Sequence, residues 1–398
     1  MAGNLKSRLS RIRAAQAGAL PKPRAGEVAA SRAAPSFLEG WERLDEFVYR
    51  RKVSFDLDLP RVLDCAPFLG RAAAPGPQDA GPEAAADSGS LRFFDLETTG
   101  LSGGTGTLAF LAAIGRPSDC GLSVTQVFLA DYPGEPLFIS AVLEALGADA
   151  VLVTYNGKAF DLPLLRTRCV MNGIAPPLEA RHLDLLHASR RLWRSVHGGA
   201  SLGLLEEAVL GKDRGPDVPG SLIPALWFDY LSRGEEGRMD LVMSHNASDV
   251  ATLASLLAFE SAIFAAPLDH AGDGGLDRAG LGRCLLSLGR AGEGEALLEA
   301  AARDGNERAA ILLSRRFGRS GRSGDRARMQ DLLGAGFDGM VERAKYLEHC
   351  ACDYRAALSW VRRAEGCPEA RPREAELAAR KERLIRKERL ARMKRGWE

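Results

Sequence analysis

Apolar residues recur along the middle of the chain at two spacings, one typical of strands and one typical of helices. Five short apolar runs bounded by turn residues predict strands, at 91–95, 107–115, 122–130, 150–156 and 181–187. Three longer runs repeat their apolar residues at helical spacing and predict helices, at 135–147, 160–173 and 244–264. Three strands followed by alternating helices and strands predict the α/β class, with a mixed sheet flanked by helices.

The pattern changes after residue 275, where strand-like runs disappear. Residues 275–365 contain three successive pairs of helical segments rich in Ala, Leu and Gly, which predict a C-terminal all-α helical-repeat domain. The repeats resemble degenerate tetratricopeptide repeats, which makes a protein partner a candidate ligand for them. The basic segment 371–398 predicts one further helix, in which Glu and Arg recur four residues apart.

The N-terminal part of the chain divides by composition into three segments. Residues 1–34 are basic and poor in large apolar side chains, which predicts a flexible arm. Residues 35–70 are more apolar and predict a structured segment with a strand near 48–59. Residues 71–90 are rich in Ala, Gly, Pro and Asp, which predicts a linker ahead of a folded domain at 91–265.

Overall composition narrows the class of protein. A chain of 398 residues with 46% hydrophobic and 26% charged residues predicts two or three folded domains. No uninterrupted run approaches the roughly 20 apolar residues that span a bilayer, so no membrane partner is expected. The basic N-terminus also lacks the apolar core of a secretory signal. Seven scattered cysteines, an odd number, favour reduced thiols and a cytoplasmic location.

Charge is distributed unevenly although the net charge is only +1. Residues 1–34 hold seven Lys and Arg against one acidic residue, and residues 371–398 hold eleven against five. The ends are therefore each +6 and the remaining body is −11. Basic ends suit a partner that carries phosphate, such as nucleic acid, although the same charges are also compatible with plain solvation.

Two carboxylates stand at the end of the first predicted strand of the sheet. Asp95 and Glu97 are two residues apart, so both side chains leave the same face of the strand. Carboxylates held that close repel each other unless a cation lies between them, and Mg²⁺ and Mn²⁺ prefer such oxygen ligands. Taken alone, the pair is better explained as two solvated acids at the end of a strand.

Two later segments strengthen the case for a site. Asn156-Gly-Lys158-Ala-Phe-Asp161 follows a strand and opens a helix, and Asp161 there is either a site carboxylate or a helix-dipole partner. His245 and Asp249 are four residues apart on one helical face, so an imidazole and a carboxylate can point the same way. The alternative for this pair is a surface hydrogen bond.

Together, these motifs resemble the DEDD 3′–5′ exonuclease superfamily, and specifically its YprB-like branch with a ribonuclease-H-like fold, over residues 91–262. The wording that carries the resemblance is FFDLETTGLSGGTGTLAFLAAIGR, VTYNGKAFDLPLLRTR, HLDLLH and HNASDVATLASL. The resemblance implies an enzyme that hydrolyses DNA or RNA and uses two divalent cations, Mg²⁺ or Mn²⁺. It implies four metal ligands, Asp95, Glu97, Asp161 and Asp249, with His245 as the general base.

The histidine departs from the family pattern. In the superfamily's histidine branch the His lies five residues before the last Asp, whereas a spacing of four belongs to the tyrosine branch. Here His245 stands four residues before Asp249, which puts the base role, but not the metal ligands, in question. Asp249→Asn is therefore expected to abolish activity and His245→Ala only to slow it.

Further residues are weaker candidates. Four near the motifs are candidates for substrate contact: Thr98, Asn156, Lys158 and Asp184. Trp193 and Trp227 could stack on bases, although buried structural aromatics are the commoner case. Two other functions use the same features: a nucleic-acid-binding adaptor acting through its helical repeats, and a structure-specific endonuclease on the same carboxylates.

Overall fold

The described part of the chain begins at residue 36. The computed structural model describes residues 36–59, 62–64, 67–68, 85–100, 106–176, 181–234, 236–273 and 275–395. The predicted basic arm at 1–34 and most of the predicted linker lie outside these residues. The chain divides into two units, Met1–Glu39 and Gly40–Glu398; of the first, only a short 3-10 helix, Ser36–Leu38, and Glu39 are described.

A seven-stranded mixed sheet forms the centre of the second unit. The described strands are β1 Glu42–Arg43, β2 Val48–Phe55, β3 Val62–Asp64, β4 Ala85–Asp87, β5 Leu91–Thr98, β6 Ala109–Ser118, β7 Gly121–Leu129, β8 Val151–Thr154 and β9 His182–Asp184. The strand order is β1-β2-β7-β6-β5-β8-β9, and β3 pairs with β4 separately. Strands β5, β8 and β9 are parallel, while the pairings among β2, β7, β6 and β5 are antiparallel.

Helices cover the sheet and then continue alone. The described α-helices are α1 Glu135–Leu146, α2 Asp161–Met171, α3 Leu186–His197, α4 Leu202–Ala208, α5 Ile223–Arg233, α6 Met239–Ala265, α7 Arg278–Ser287, α8 Ala291–Arg303, α9 Glu307–Arg319, α10 Ser323–Asp331, α11 Phe337–His349, α12 Tyr354–Glu365 and α13 Glu374–Arg395. The α/β class, with a mixed sheet followed by an all-α region, is confirmed. The helical hairpins α7–α8, α9–α10 and α11–α12 match the three predicted pairs of helical segments. Their similarity to tetratricopeptide repeats stays a prediction.

Helix α6 is the element that completes the site. It packs across β5, β6 and β7, and Gly115 on β6 permits the approach, because a Cβ there would lie 2.6 Å from Val250 Cγ1. Among the described helices, α6 is long and apolar enough to cross a membrane by length and composition, and 61% of its most apolar stretch is buried in the protein. Packing against the sheet accounts for that apolar character.

Three segments differ from the sequence expectations. Strand β2 pairs with β7 along its whole length, so part of the predicted N-terminal segment belongs to the main sheet. Residues 85–90, expected within the linker, form β4 and a short 3-10 helix. Helix α13, expected as a basic tail, packs against α12 with Leu377 and Leu384 buried, because its thin apolar stripe meets the repeats.

Candidate active site

The three parallel strands bring their carboxyl ends to one edge of the sheet. Asp95 and Glu97 lie near the end of β5, Asp161 opens α2 after β8, and Asp184 ends β9. The register of β5 against β6 shifts between Glu97 and Thr98, and such irregularities often occur beside active sites. The backbone of Leu96 hydrogen-bonds to the carboxylate of Asp161, which joins the second acidic segment to the first.

Helix α6 places three polar side chains against this edge. Asn246 Nδ2 donates to Asp95 Oδ2 at 2.8 Å. Its Oδ1 accepts from Gln126 Nε2 at 3.0 Å, and Gln126 is fully buried on β7. His245 Nε2 lies 3.6 Å from Asp249 Oδ2 and 3.9 Å from Glu97 Oε1. The five residues expected at the site, Asp95, Glu97, Asp161, His245 and Asp249, therefore meet, and their roles in catalysis stay predictions.

Burial, together with neighbouring carboxylates, destabilises the charged forms of the four carboxyl groups. Burial raises the pKa of Asp95 well above its ordinary value, and the charges of Asp249 and Asp161 add to this. Burial and the neighbouring Asp95 raise the pKa of Glu97 in the same way. Burial raises the pKa of Asp161 to about 7, and it also raises the pKa of Asp249. A group of buried carboxylates with this repulsion favours a cation or protons among them.

An aspartate outside the expected motifs holds the histidine. Asp217 Oδ1 lies 2.8 Å from His245 Nδ1 and fixes the orientation of the ring. Burial acts to raise the pKa of Asp217, but hydrogen bonds from His245 and the Val218 amide lower it overall. Asp217 lies in a loop of Gly, Pro and charged residues between α4 and α5, where no periodic pattern marks a functional residue.

Arg214, in the same loop, places a cation at the site. Its guanidinium forms ion pairs with Asp249 and with the buried Glu206. Burial opposes the charge of Arg214, but the carboxylates of Asp249 and Glu206 raise its pKa above the ordinary value. Thr252 Oγ1 also donates to Glu206 at 2.5 Å, so Glu206 anchors both the loop and α6. Arg214 therefore offsets part of the negative charge of the carboxylate group.

The residues suit a metal by their chemistry, although their present arrangement is not that of a metal centre. In the part of the chain that the structure describes, no three His, Cys, Asp or Glu side chains converge closely enough to hold an ion. Asp249 forms an ion pair with Arg214. The donors are nevertheless hard oxygens with mutually raised pKa values, which is the set that Mg²⁺ or Mn²⁺ prefers. A cation bound by Asp249 would compete with the Arg214 guanidinium for that carboxylate.

The candidate substrate residues have structural contacts. Asp184 is buried and accepts hydrogen bonds from the backbone amides of Asn156, at 2.8 Å, and Lys158, at 3.1 Å. It thereby fixes the turn in which Asn156 adopts a φ of 68°. Thr98 is buried and donates to the carbonyl of Gly100 at 3.0 Å. Of the four candidate residues, Asn156 and Lys158 are exposed, so their side chains are accessible to a ligand.

The two tryptophans are core residues. Trp193 is 2% exposed and stacks on Phe259, with 6.3 Å between ring centroids. Trp227 is fully buried, stacks on Phe110 at 5.0 Å, and donates from Nε1 to the Leu129 carbonyl. Neither ring has a free face on which a base could stack. Both tryptophans are therefore structural core residues, as is common for buried aromatic side chains.

Comparisons with known proteins agree with this fold. Residues 92–259 match the RNase_H_2 family model, which belongs to the RNase_H superfamily. YprB of Bacillus subtilis (strain 168), an uncharacterised protein, is 40% identical over 169 residues, or 42% of this chain and 41% of YprB. The expected similarity to YprB is confirmed, and it spans less than half of either protein. Residues 92–259 are therefore similar to domains of the RNase H superfamily.

Proposed function

We propose that this protein is a metal-dependent nuclease, and specifically a 3′–5′ exonuclease of the DEDD type acting on DNA or RNA. The observation that carries the proposal is the meeting of Asp95, Glu97, Asp161 and Asp249 at one edge of the sheet. Burial raises the pKa of all four carboxyl groups, and repulsion by neighbouring carboxylates adds to this effect, which favours a divalent cation at this place. Similarity to the RNase H superfamily supports the choice of nucleic acid as substrate.

Each side chain has a role in this proposal. The four carboxylates would hold two divalent cations, Mg²⁺ or Mn²⁺. When bound, such cations activate a water and stabilise the leaving oxygen. His245 Nε2, which faces Glu97 and Asp249, accepts the proton of the attacking water. Asp217 holds the opposite ring nitrogen and keeps the accepting nitrogen directed at the carboxylates. Asn246 holds Asp95 in place.

The test is cleavage of a 5′-labelled oligonucleotide, as DNA and as RNA, with Mg²⁺ or Mn²⁺. We expect a ladder of shortened products that EDTA and Asp95→Asn abolish. Asp149→Asn is a matched control, because Asp149 is exposed and precedes the amino end of β8, whereas the site lies at the carboxyl end of that strand. One internal cut would instead identify an endonuclease. Absence of metal-dependent cleavage on every substrate would contradict the proposal and favour a binding adaptor.

A further inference from the structure

A groove in the helical repeats has a strong excess of positive charge. It has a volume of about 940 Å³ and is formed chiefly by the repeat helices α9 and α11, with contributions from α10 and α13. We call it the arginine groove. Its charged lining consists of Arg308, Arg315, Arg319, Arg326, Lys345 and Arg380, against Asp338 and Glu342. Positive potential confined to one concavity attracts anionic ligands.

The basic residues form an ordered row. Arg308, Arg315 and Arg319 on α9 are separated by seven and four residues, so they share one helical face. At 1.5 Å of rise per residue, the row is about 16 Å long. Phosphates in one strand of a B-form duplex are spaced about 3.4 Å apart along the axis. They lie further apart in an extended single strand, so the row is long enough to span several consecutive phosphates of either.

Part of this charge is already compensated within the protein. Glu342 is fully buried and pairs with Arg315, at 2.9 Å, and with Arg326, at 3.4 Å. Arg380 pairs with the buried Glu348 at 2.6 Å. These pairs orient the guanidinium groups but leave the groove with more cations than anions.

The remaining cations have no such partner. Within the described residues, no ion pair joins Arg308, Arg319 or Lys345 to an acidic side chain, and Arg308 and Arg319 are exposed. Burial, and then the charges of Arg315 and Arg380, lowers the pKa of Lys345. The carboxylates of Glu342 and Glu376 oppose this change but do not outweigh it.

We infer that the arginine groove binds the phosphate backbone of a nucleic acid strand. The planar guanidinium fork of arginine matches phosphate oxygens in a bidentate way. The described lining contains no Phe, Tyr or Trp on which bases could stack, so contact is with phosphates and independent of sequence. The choice of nucleic acid over an acidic peptide rests on the proposed nuclease function of the same chain.

The experiment measures binding without cleavage. A fluorescein-labelled single-stranded oligonucleotide is titrated in EDTA with the full chain and with Arg308→Glu/Arg319→Glu, and anisotropy is read at several salt concentrations. We expect an affinity loss of about tenfold or more, and a salt slope shallower by about 1.4, or 0.7 for each lost phosphate contact. The matched control is Arg303→Glu/Arg355→Glu, which changes the net charge equally at exposed positions outside the groove.

Several outcomes would overturn the inference. Unchanged binding, or an equal loss in the groove and control variants, would show that the groove makes no particular contact. Preferential, groove-dependent binding of poly-glutamate would make it a peptide site. If the charge reversals unfold the repeats by circular dichroism, Arg308→Gln/Arg319→Gln replaces them. Because the measurement needs no catalysis, it is independent of whether the carboxylate site cleaves.

Discussion

The contact between Asp217 and His245 gives the displaced histidine an anchor. A histidine four residues before Asp249, rather than five, needs a support that keeps its free nitrogen directed at Glu97 and Asp249. Asp217 supplies it at 2.8 Å from Nδ1. Restricting an imidazole in this way fixes both its orientation and its tautomer, which matters more for the transition state than for substrate binding.

The first prediction concerns this support. Asp217→Asn should lower kcat about tenfold with little change in KM. This loss is smaller than the roughly 10²–10⁴-fold that a general base contributes to the rate, because His245 itself remains. In the double variant with His245→Ala, Asp217→Asn should cause no further loss of kcat. The two residues act as a single unit, which His245→Ala already removes. Asp217→Glu should recover part of the rate. Asp213→Asn, in the same loop, is the control. If the losses in kcat multiply in the double variant, Asp217 acts independently of His245.

The second prediction concerns Arg214, whose guanidinium pairs with Asp249 and Glu206. Arg214→Gln leaves the buried Glu206 and the partly buried Asp249 without their cation, so Tm in EDTA should fall. Mn²⁺ should then raise Tm more than in the unsubstituted protein, with half-saturation at an about tenfold lower concentration, or ~1.4 kcal/mol. Differential scanning calorimetry measures both. Arg233→Gln at an exposed site is the control; an equal Mn²⁺ response in all three proteins would show that Arg214 does not compete with metal.

The sequence predicted the site residues that lie in motifs. It did not predict the residues that hydrogen-bond to them or form ion pairs with them. Asp95, Glu97, Asp161, His245 and Asp249 stand at strand ends or on one helical face, where local geometry already groups them. Gln126 lies in the middle of an apolar strand and is 120 residues from Asn246, its hydrogen-bond partner. Asp217 and Arg214 lie in a loop without periodicity. Only the tertiary fold brings such residues to the site.

At the scale of elements, the site depends on how closely α6 approaches the sheet. Helix α6 carries His245, Asn246 and Asp249, and Val250 packs directly over Gly115 of β6. Periodicity predicted a helix at 244–264, and the structure extends its start to Met239. The strand order and the pairing of β2 with β7 were not predictable, because alternation reveals a buried face but not its neighbour.

The third prediction tests that approach. In Gly115→Ala, the new Cβ would lie 2.6 Å from Val250 Cγ1 and 3.2 Å from Phe93 Cβ, so α6 must shift. We expect a loss of about 1–3 kcal/mol in the free energy of unfolding from overpacking, together with a lower kcat because Val250 adjoins Asp249. Val250→Ala in the same chain should restore both. Gly324→Ala, where an added Cβ meets nothing within 4 Å, is the control. Full stability and activity in Gly115→Ala would contradict this account.

At the scale of the whole molecule, the sheet and the first repeat share one core. Leu281, Leu285 and Leu297 of α7 and α8 belong to the same apolar cluster as Phe93, Val153 and Leu256. The two regions predicted from sequence as 91–265 and 275–365 are therefore joined by continuous packing, although the later repeats have cores of their own. The helical pattern of α7 showed that one face is buried, but not that the sheet domain covers it.

Glu260 lies in this shared core and links its helices. It is fully buried on α6 and accepts a hydrogen bond from Ser189 Oγ of α3 at 2.6 Å, while its charge also acts on Cys284 of α7. Burial raises the pKa of Glu260 from 4.5 to about 8. The folded protein therefore holds a proton there over a pH range in which the unfolded chain has released it.

The last prediction follows from this proton. Because the unfolded state binds fewer protons between pH 4.5 and about 8, the contribution of Glu260 to the free energy of unfolding decreases as pH rises through that interval. Glu260→Gln, which is neutral throughout, should lose stability less steeply, so its stability relative to the unsubstituted protein should increase from pH 5 to pH 8.5. Urea denaturation at the two pH values measures this difference, and comparison of the variants cancels the parallel effect of the site carboxylates. Glu207→Gln, at an exposed position on α4, should show no such trend. A constant difference between Glu260→Gln and the unsubstituted protein would mean that Glu260 is charged in the folded core.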